Sequence, residues 1–557
     1  MVRRLVLLGI ALLSLHAFAA EGAELQRFLV TARTPANQSR LRAATNALAA
    51  PMHRLRAFPF ASSFAADLSE NEAVQLRANG FAVEPIVERF ADAMDDERAP
   101  AASAPAASAP AASAPATADV QEVPWGINAI HAPQVWQVTR GEGVNVAVLD
   151  TGIDAEHPDL KDVYKGGYNT FDPSLPPKDG HRHGTHVAGT IAAADNAIGV
   201  VGVAPGVKLW SVKVLDDDGR GSNESVVAGF NWVMEKAKTT GGRWVMNLSL
   251  GASTTSEAEE AAVSNAISAN IIVIASAGNR ADQNLRYPAK YRDVIAVGAV
   301  DPTDKRASFS SYGAGMTVVA PGTDVRSTFI AGINDSSEVQ TLGGNTLESW
   351  WIIGSPYGSV TANIVDCGQG APEEFPPNVQ GQIALVHRGK FLFRELARNA
   401  KEAGAAAMIL AQRPSDTTAP AGFTFYPKEP DAFWSAYDFP LSVAVMYAEG
   451  EELRTHNGPV TVAFRPSRYG IMNGTSMAAP HATGTAALVL SLAPDIPVAQ
   501  LEFILRTTAR DIYEKGWDKE SAWGVVDALK AAQFVAPQRF GVPPPVVKPP
   551  SHRRSVR

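Results

Sequence analysis

An α/β fold with a mostly parallel sheet flanked by helices is what this chain predicts, with a small α+β domain ahead of it and an α/β domain inserted into it. Two observations carry that prediction. The runs Val146-Ala147-Val148-Leu149, Val245-Met246-Asn247-Leu248, Ile271-Ile272-Val273-Ile274 and Val294-Ile295-Ala296-Val297 are short and nearly continuously apolar, several of them separated by helical stretches. Strands of that kind are buried on both faces, as in parallel sheets covered by helices. The second observation is length: 557 residues exceed what one compact core holds, so roughly two to four folded units are expected. An apolar fraction of 46% with 19% charged residues is that of a globular protein. A formal net charge of -8 leaves no broad basic face to displace counterions from phosphates, so nucleic acid is not an expected partner.

The elements follow in order. Arg3 and Arg4 precede an apolar run over residues 5–15 and the small-residue stretch Ala17-Phe18-Ala19-Ala20, the layout of a secretory signal peptide over residues 1–20. The run is too short to span a bilayer comfortably, an uncleaved anchor being the alternative. Secretion is therefore expected, to the extracellular space or to the periplasm or cell surface if the protein is retained. No later segment is long and apolar enough for a membrane span. With Cys367 the only cysteine, there is no internal disulfide, so packing and metal ions must hold an exported fold. Cys367 itself reads as a small buried residue.

From 25 to 93 the pattern is mixed. Arg27-Phe28-Leu29-Val30-Thr31 reads as a strand, residues 69–79 as a capped amphipathic helix, and Phe81-Ala82-Val83-Glu84-Pro85 as a closing strand. Residues 94–118 form an Ala/Pro/Ser-rich linker, because the repeated Ala-Ala-Ser-Ala-Pro unit of 101–115 has almost no bulk to bury and carries regular prolines. The parallel-sheet domain then occupies 119–328 and 468–536. The insertion, 329–467, holds strand-like Ile383-Ala384-Leu385-Val386, a helical stretch over 393–403, and the strands Ala407-Met408-Ile409-Leu410 and Leu441-Ser442-Val443-Ala444-Val445. The end, 537–557, is proline-rich with Arg553, Arg554 and Arg557, and reads as a disordered tail, a solvated terminus rather than a basic recognition element.

Hydrolysing an amide at neutral pH needs an activated nucleophile, a base, and donors for the oxyanion. Asp150 ends the strand that begins at Val146, where parallel sheets present functional groups. His183 lies in His181-Arg182-His183-Gly184-Thr185-His186-Val187-Ala188-Gly189-Thr190, the start of a small-residue helix that can lie against the strand ends. Ser476 stands in Asn473-Gly474-Thr475-Ser476-Met477-Ala478-Ala479-Pro480-His481, at another helix start whose N-terminus favours negative charge. Asn279, in Ala275-Ser276-Ala277-Gly278-Asn279, ends a further strand, where its amide can donate to an oxyanion beside the Ser476 N–H. Taken singly, each has a structural reading: a strand-end Asp is often a turn or helix cap, and a Ser after Gly-Thr is often an N-cap.

Together, Asp-Thr-Gly-Ile-Asp, His-Gly-Thr-His-Val-Ala-Gly-Thr, Ser-Ala-Gly-Asn and Gly-Thr-Ser-Met-Ala-Ala-Pro-His resemble the motifs of the subtilisin-like serine proteases, the subtilases, in the same order. The resemblance covers about 121–534 apart from the insertion. It implies that Ser476 is the nucleophile, His183 the general base, Asp150 the residue orienting that base, and Asn279 the oxyanion donor. His181, His186 and His481 are then structural. It also implies a cleft in which Gly219, Arg220 and Gly221 on one edge and Ser249, Leu250 and Gly251 on the other hold an extended peptide as an added strand. Gly278 and Arg280 sit where the family lines its main specificity pocket, so Arg280 is a candidate for favouring an acidic residue, the alternative being an arginine turned to solvent. The segment 282–286 is shorter than in the best-known subtilisins.

The same resemblance implies a structural calcium site. Gln121, Asp159 and Asn196 match its side-chain ligands, completed by backbone carbonyls at Ala194, Ile198 and Val200, a hard oxygen set that suits calcium. Zinc is not expected, for there is no cysteine pair and no His-Glu-x-x-His spacing. Residues 25–93 resemble the inhibitory propeptide of subtilases, an intramolecular chaperone and inhibitor. The linker leaves the processing point between about 93 and 120, and Gln121 as a ligand places a mature start just upstream of it. The insertion resembles a protease-associated domain, on Gly381-Gln382-Ile383-Ala384-Leu385-Val386-His387-Arg388-Gly389 and Ala397-Arg398-Asn399-Ala400-Lys401-Glu402-Ala403-Gly404-Ala405. Its entry and exit points place it at the rim of the cleft, gating or selecting substrates, with His387 and Arg388 read as structural turn residues.

The expected function is thus a monomeric serine endopeptidase acting on extended protein or peptide substrates through an acyl-enzyme, made as an autoprocessed zymogen. A catalytically silent peptide-binding protein and an acyl transferase using the same machinery are the alternatives.

Overall fold

A computed structural model of the chain describes residues 25–48, 54–91, 121–330, 335–341, 346–347, 349–352, 355–414 and 439–544. The expected signal segment, the linker and the end of the tail lie outside the described residues. The chain divides into two compact units, one containing the described residues up to 330 and from 471 onward, the other the residues between.

The first unit opens with β1 (Gln26–Ala32), α1 (Pro35–Ala47), β2 (Arg56–Phe58), β3 (Ser63–Leu68), α2 (Glu70–Ala78), β4 (Phe81–Pro85) and β5 (Glu88–Ala91). The first four strands form an antiparallel sheet in the order β2-β3-β1-β4. Each helix begins where its sequence offers a cap. Thr34 accepts the N–H of Asn37 ahead of Pro35. Ser69 and Glu72 cap each other reciprocally, the Ser69 N–H donating to Glu72 Oε2 at 2.8 Å. The period-2 alternation of β1 and β3 gives the sheet two buried faces. Phe28, Val30, Phe64, Ala66 and Leu68 pack with Leu76 and Phe81 in a core of their own. Leu29, Ala65 and Phe58 point the other way and join the main core.

That main core surrounds a seven-stranded parallel sheet: β6 (Val144–Asp150), β7 (Tyr164–Asn169), β8 (Lys208–Lys213), β10 (Arg243–Leu248), β12 (Ile272–Ser276), β13 (Ile295–Val300) and β14 (Val318–Pro321), in the order β14-β13-β12-β10-β6-β8-β7. The four apolar runs are β6, β10, β12 and β13, all buried on both faces. Strand order reverses between β6 and β10, and in open α/β sheets ligands bind at the carboxyl ends beside such a reversal. Two short strands, β9 (Arg220–Ser222) and β11 (Leu250–Gly251), stand apart from this sheet, and β5 pairs between them.

The covering helices include α3 (His183–Ala192), α4 (Asn223–Thr240), α5 (Glu257–Ser268) and α6 (Thr475–Leu492). Helix α6 is buried from Thr475 through Leu490; its alanines, glycine and threonines let it run inside the core, where a helix apolar on all sides belongs. The N-terminal sheet rests on α4 and α5 through the turn after β2. There Phe60 accepts from Asn265 Nδ2 at 2.8 Å and donates its N–H to Asn231 Oδ1 at 3.0 Å.

The second unit is built on an eight-stranded sheet whose central strands Gly358–Asp366, Ile383–His387, Ala407–Ala411 and Leu441–Val445 run parallel. Alternation again gives two cores. Ala384, Val386, Met408 and Leu410 pack with Leu396 and Ala400 of the helix Phe393–Glu402 and with Cys367. Ile383, Leu385, Ile409 and Val443 face Leu453, Val460 and Val462. Burial pushes the Cys367 thiol up to about 12, which keeps it an inert thiol. No helix among the described residues is long and apolar enough to cross a membrane.

Candidate active site

Asp150 is the last residue of β6 and His183 the first of α3. The imidazole Nδ1 lies 2.7 Å from Asp150 Oδ1, with both side chains fully buried. The N–H of Thr151 donates to the same Oδ1 at 2.7 Å. A carboxylate held in this way fixes the tautomer and orientation of the ring and leaves Nε2 to do proton transfer. The strand end and the helix can approach because residue 184 is glycine: a Cβ there would stand 2.1 Å from Gly152 O. Buried Asp179, not singled out from the sequence, organises the turn into α3. It accepts from Thr151 Oγ1, from the N–H groups of His181 and Arg182, and from both the N–H and hydroxyl of Thr185.

Ser476, the second residue of α6, donates its hydroxyl to Ser249 O at 3.0 Å, while Ser249 Oγ donates to Ser476 O at 2.8 Å. This pair pins the start of α6 to the end of β10. Asn279 follows β12 by three residues, and its Oδ1 accepts from the Thr475 N–H at 2.9 Å and the Thr475 hydroxyl at 2.8 Å. Thr475 Oγ1 in turn accepts from the Gly278 N–H at 3.1 Å. The oxygen end of the Asn279 amide is therefore turned to the α6 backbone, and Asn279 lines a pocket of about 450 Å³. Two neighbouring histidines bond to backbone carbonyls. His186 Nε2 meets Val325 O at 2.8 Å, and His481 Nδ1 meets Met477 O at 2.8 Å. Burial brings His481 down to about 4, so it stays neutral.

The two edges expected from the sequence are occupied by the chain's own β5. Arg89 lies opposite Gly221 and Phe90 opposite Arg220 on β9, while Phe90 lies opposite Gly251 and Ala91 opposite Leu250 on β11, both pairings antiparallel. The Ala91 N–H also donates to Gly219 O at 3.0 Å. Residue 221 must be glycine for β9 to pack on the segment after β8, since a Cβ would sit 2.2 Å from Val214 O. Behind β5, Glu84 reaches the amino end of α5, accepting from Ser256 Oγ at 2.6 Å and from the N–H groups of Glu257 at 2.8 Å and Ala258 at 3.1 Å. It satisfies orphan donors and complements the positive end of the helix dipole.

Arg280 is exposed on the rim of the 450 Å³ pocket, whose lining also includes Ala91, Thr254 and Arg286. Arg286 carries the stronger placement: it is 6% exposed, and its Nη2 lies 3.0 Å from Asp282 Oδ2. Arg280 is recognisable from the sequence by its place after Asn279, whereas Arg286 is not, because nothing in the spacing shows that the short segment after Asn279 folds back under the pocket.

At the expected metal site, Asp159 is fully buried and accepts from Asn196 Nδ2 and from the Val200 N–H, each at 3.1 Å. Gln121 Nε2 points at Ala194 O at 2.7 Å, Val200 O at 3.4 Å and Asn196 Oδ1 at 3.5 Å. The Ile198 N–H donates to Asn196 Oδ1 at 3.2 Å. Three oxygens thus converge on one point taken by the positive edge of an amide, beside a buried carboxylate. Rotating the Gln121 amide would bring a further oxygen to that point, so the donor set fits calcium.

A family model described as the subtilase family matches residues 141–353 and 433–524, and a PA-domain model matches 360–453. Subtilisin BL of Lederbergia lenta is 49% identical over 211 residues, 38% of this chain and 75% of that protein. An alkaline protease of Alkalihalobacillus alcalophilus is 48% identical over 215 residues, 38% of this chain and 54% of that protein. The crystal structure of a psychrophilic subtilisin-like protease from the Antarctic psychrotroph Pseudoalteromonas sp. AS-11 matches with a TM-score of 0.53 at 27% identity, over 75% of this chain and 99% of that one.

Proposed function

This chain belongs to the subtilase family, and from that membership we propose that it is the precursor of a secreted, monomeric serine endopeptidase that matures by cutting its own chain and then hydrolyses extended protein substrates. Its chemistry rests on four residues. Ser476 Oγ attacks the scissile carbonyl carbon as His183 Nε2 takes its proton, and Asp150 stabilises the imidazolium so formed. The oxyanion is received by the Ser476 N–H and Asn279 Nδ2. Collapse breaks the C–N bond, and His183 returns the proton to the leaving amine. Water, deprotonated by His183, then hydrolyses the acyl ester and restores Ser476.

The observation that carries this reading is β5 lying as the middle strand between β9 and β11. A polypeptide held in that register and continued one position past Ala91 comes opposite Ser249, whose carbonyl accepts the Ser476 hydroxyl. In the sequence that position is Asp92, so the Asp92–Ala93 bond is the expected first cut, with the linker trimmed afterwards toward Gln121. Residues 25–92 would then act as an intramolecular chaperone and inhibitor. An aspartate at the cleaved position also suits a pocket that contains Arg280 and Arg286. Calcium would be held by the side chains of Gln121, Asp159 and Asn196 with the carbonyls of Ala194, Ile198 and Val200, and would brace the loop 194–200 against β-strand and helix ends rather than take part in the reaction.

Fluorophosphonate labelling tests the nucleophile. An adduct on Ser476 of the matured protein, located by peptide mass spectrometry, is expected; matured protein that carries none would overturn the proposal.

A further inference from the structure

Arg89 is the largest fully buried side chain among the described residues, which is unexpected on a strand that lies in a substrate cleft. Side chains on an extended strand alternate. Phe90, the next residue, is 42% exposed, whereas Arg89 is driven inward to meet Glu259 on the first turn of α5. Its Nε lies 3.0 Å from Glu259 Oε2, its Nη2 meets the same oxygen, and its Nη1 donates to Glu88 O at 3.1 Å. Both partners of the ion pair are wholly excluded from solvent.

A buried carboxylate is costly unless a cation and hydrogen bonds compensate it. Glu259 is provided by the protease portion of the chain and Arg89 by the strand that occupies the cleft. When that strand is exchanged for a substrate, the carboxylate remains and needs a new partner at the same place. The planar guanidinium, with several donors in a fixed fork and weaker hydration than an ammonium, is the side chain suited to meet it. A leucine or alanine would leave Glu259 desolvated with no counter-charge. A glutamate would add like-charge repulsion.

The register gives the position. With Ala91 opposite Leu250 and the Ser249 carbonyl accepting the Ser476 hydroxyl, a polypeptide continued in the same register would bring its next residue to Ser249 and its carbonyl to Ser476. Arg89 stands three residues before that one. We propose that Glu259 is a specificity-determining residue that makes the enzyme select arginine at the fourth position on the amino side of the scissile bond, and that its substrates are accordingly polypeptides carrying an arginine there. This rests on the reading of the cleft as a protease site and deepens it.

The test uses matured enzyme and peptides of the form Xaa-Phe-Ala-Asp ahead of a chromogenic leaving group, following the order of residues 89–92, with Arg, Lys, citrulline, Leu or Glu at the first position. Active sites are counted by fluorophosphonate labelling, so that an inactive preparation, which would refute the protease reading, is distinguished from an unselective enzyme, which would refute this one. In the unmodified enzyme, kcat/KM for the Arg peptide should exceed that for Leu and citrulline by about 10²-fold, the scale of losing one partner of a buried hydrogen-bonded charge pair. Equal values for Arg, citrulline and Leu overturn the proposal. In Glu259→Leu, made together with Arg89→Leu so that the precursor retains a matched apolar pair for folding, the Arg:Leu ratio should collapse to one or below. An Arg preference surviving in that variant would equally contradict it.

Discussion

The Oδ1 of Asn279 accepts both the backbone N–H and the hydroxyl of Thr475, at 2.9 and 2.8 Å, so the residue before the proposed nucleophile sets the orientation of the proposed oxyanion donor. Asn279→Ala should lower kcat by about 10²–10³, the cost of removing one oxyanion-hole donor in subtilisin. Thr475→Val removes one of the two hydrogen bonds that aim the amide. It should give a smaller loss, about 10-fold in kcat, and steady-state kinetics on one peptide would show both. An unchanged kcat in Asn279→Ala would remove that residue from the reaction.

Glu84 closes the amino end of α5 with three hydrogen bonds. Charge-assisted bonds of this kind are worth about 1.5–3 kcal/mol. Glu84→Ala, placed in the Ser476→Ala precursor so that no processing intervenes, should therefore lower its thermal midpoint by several degrees. An unchanged midpoint would mean that water satisfies those donors as well as Glu84 does.

Acidification should weaken the preference for arginine. Burial pushes the Glu259 carboxyl above its usual range, while the charge and hydrogen bonds of Arg89 pull it down, Glu84 pushes it up, and Tyr291 pulls it down. An arginine in the pocket thus favours the ionised carboxylate relative to a leucine. By linkage, the Arg:Leu ratio of kcat/KM must rise as pH rises through the titration of Glu259 and fall as the carboxyl is protonated. Any ionisation outside the Glu259 pocket that both peptides share cancels in the ratio. A ratio flat from alkaline to mildly acidic pH would contradict this account.

Removing calcium should destabilise the protease. A ligand bound only to the folded state stabilises by mass action, about 2.7 kcal/mol at a hundredfold excess over Kd. Chelator should lower the thermal midpoint of the matured enzyme, and Asp159→Asn should lower it beforehand and blunt the response. A midpoint indifferent to both chelator and calcium would exclude the site.

The sequence made the parallel sheet legible because strands buried on both faces have no polar side to disguise them, as in β6 and β12. Asp150, His183, Asn279 and Ser476 could be picked out by their ordered motifs, and the structure draws them to one end of that sheet. Helix α1 is not legible because its sequence, PANQSRLRAATNA, is mostly polar, and among its described side chains only Asn37 and Ala44 are buried. Glu259 was invisible for a different reason. In Glu257-Ala258-Glu259-Glu260 it reads as one of three acidic residues soothing a helix amino end. Only Arg89, 170 residues away, shows that it is buried. Arg286 was missed likewise, since its burial depends on a loop that folds back toward Gly278. Local pattern reveals periodicity and motif; it does not reveal which charge a distant segment covers.

Self-processing is the most direct measure of the central claim. The precursor and its Ser476→Ala variant, each produced alone, should be followed by intact mass and by sequencing of the fragments. The unmodified chain should release a fragment ending at Asp92, and the variant should stay uncut at that bond. A Ser476→Ala precursor cleaved at the same bond with no other protease present would contradict the account.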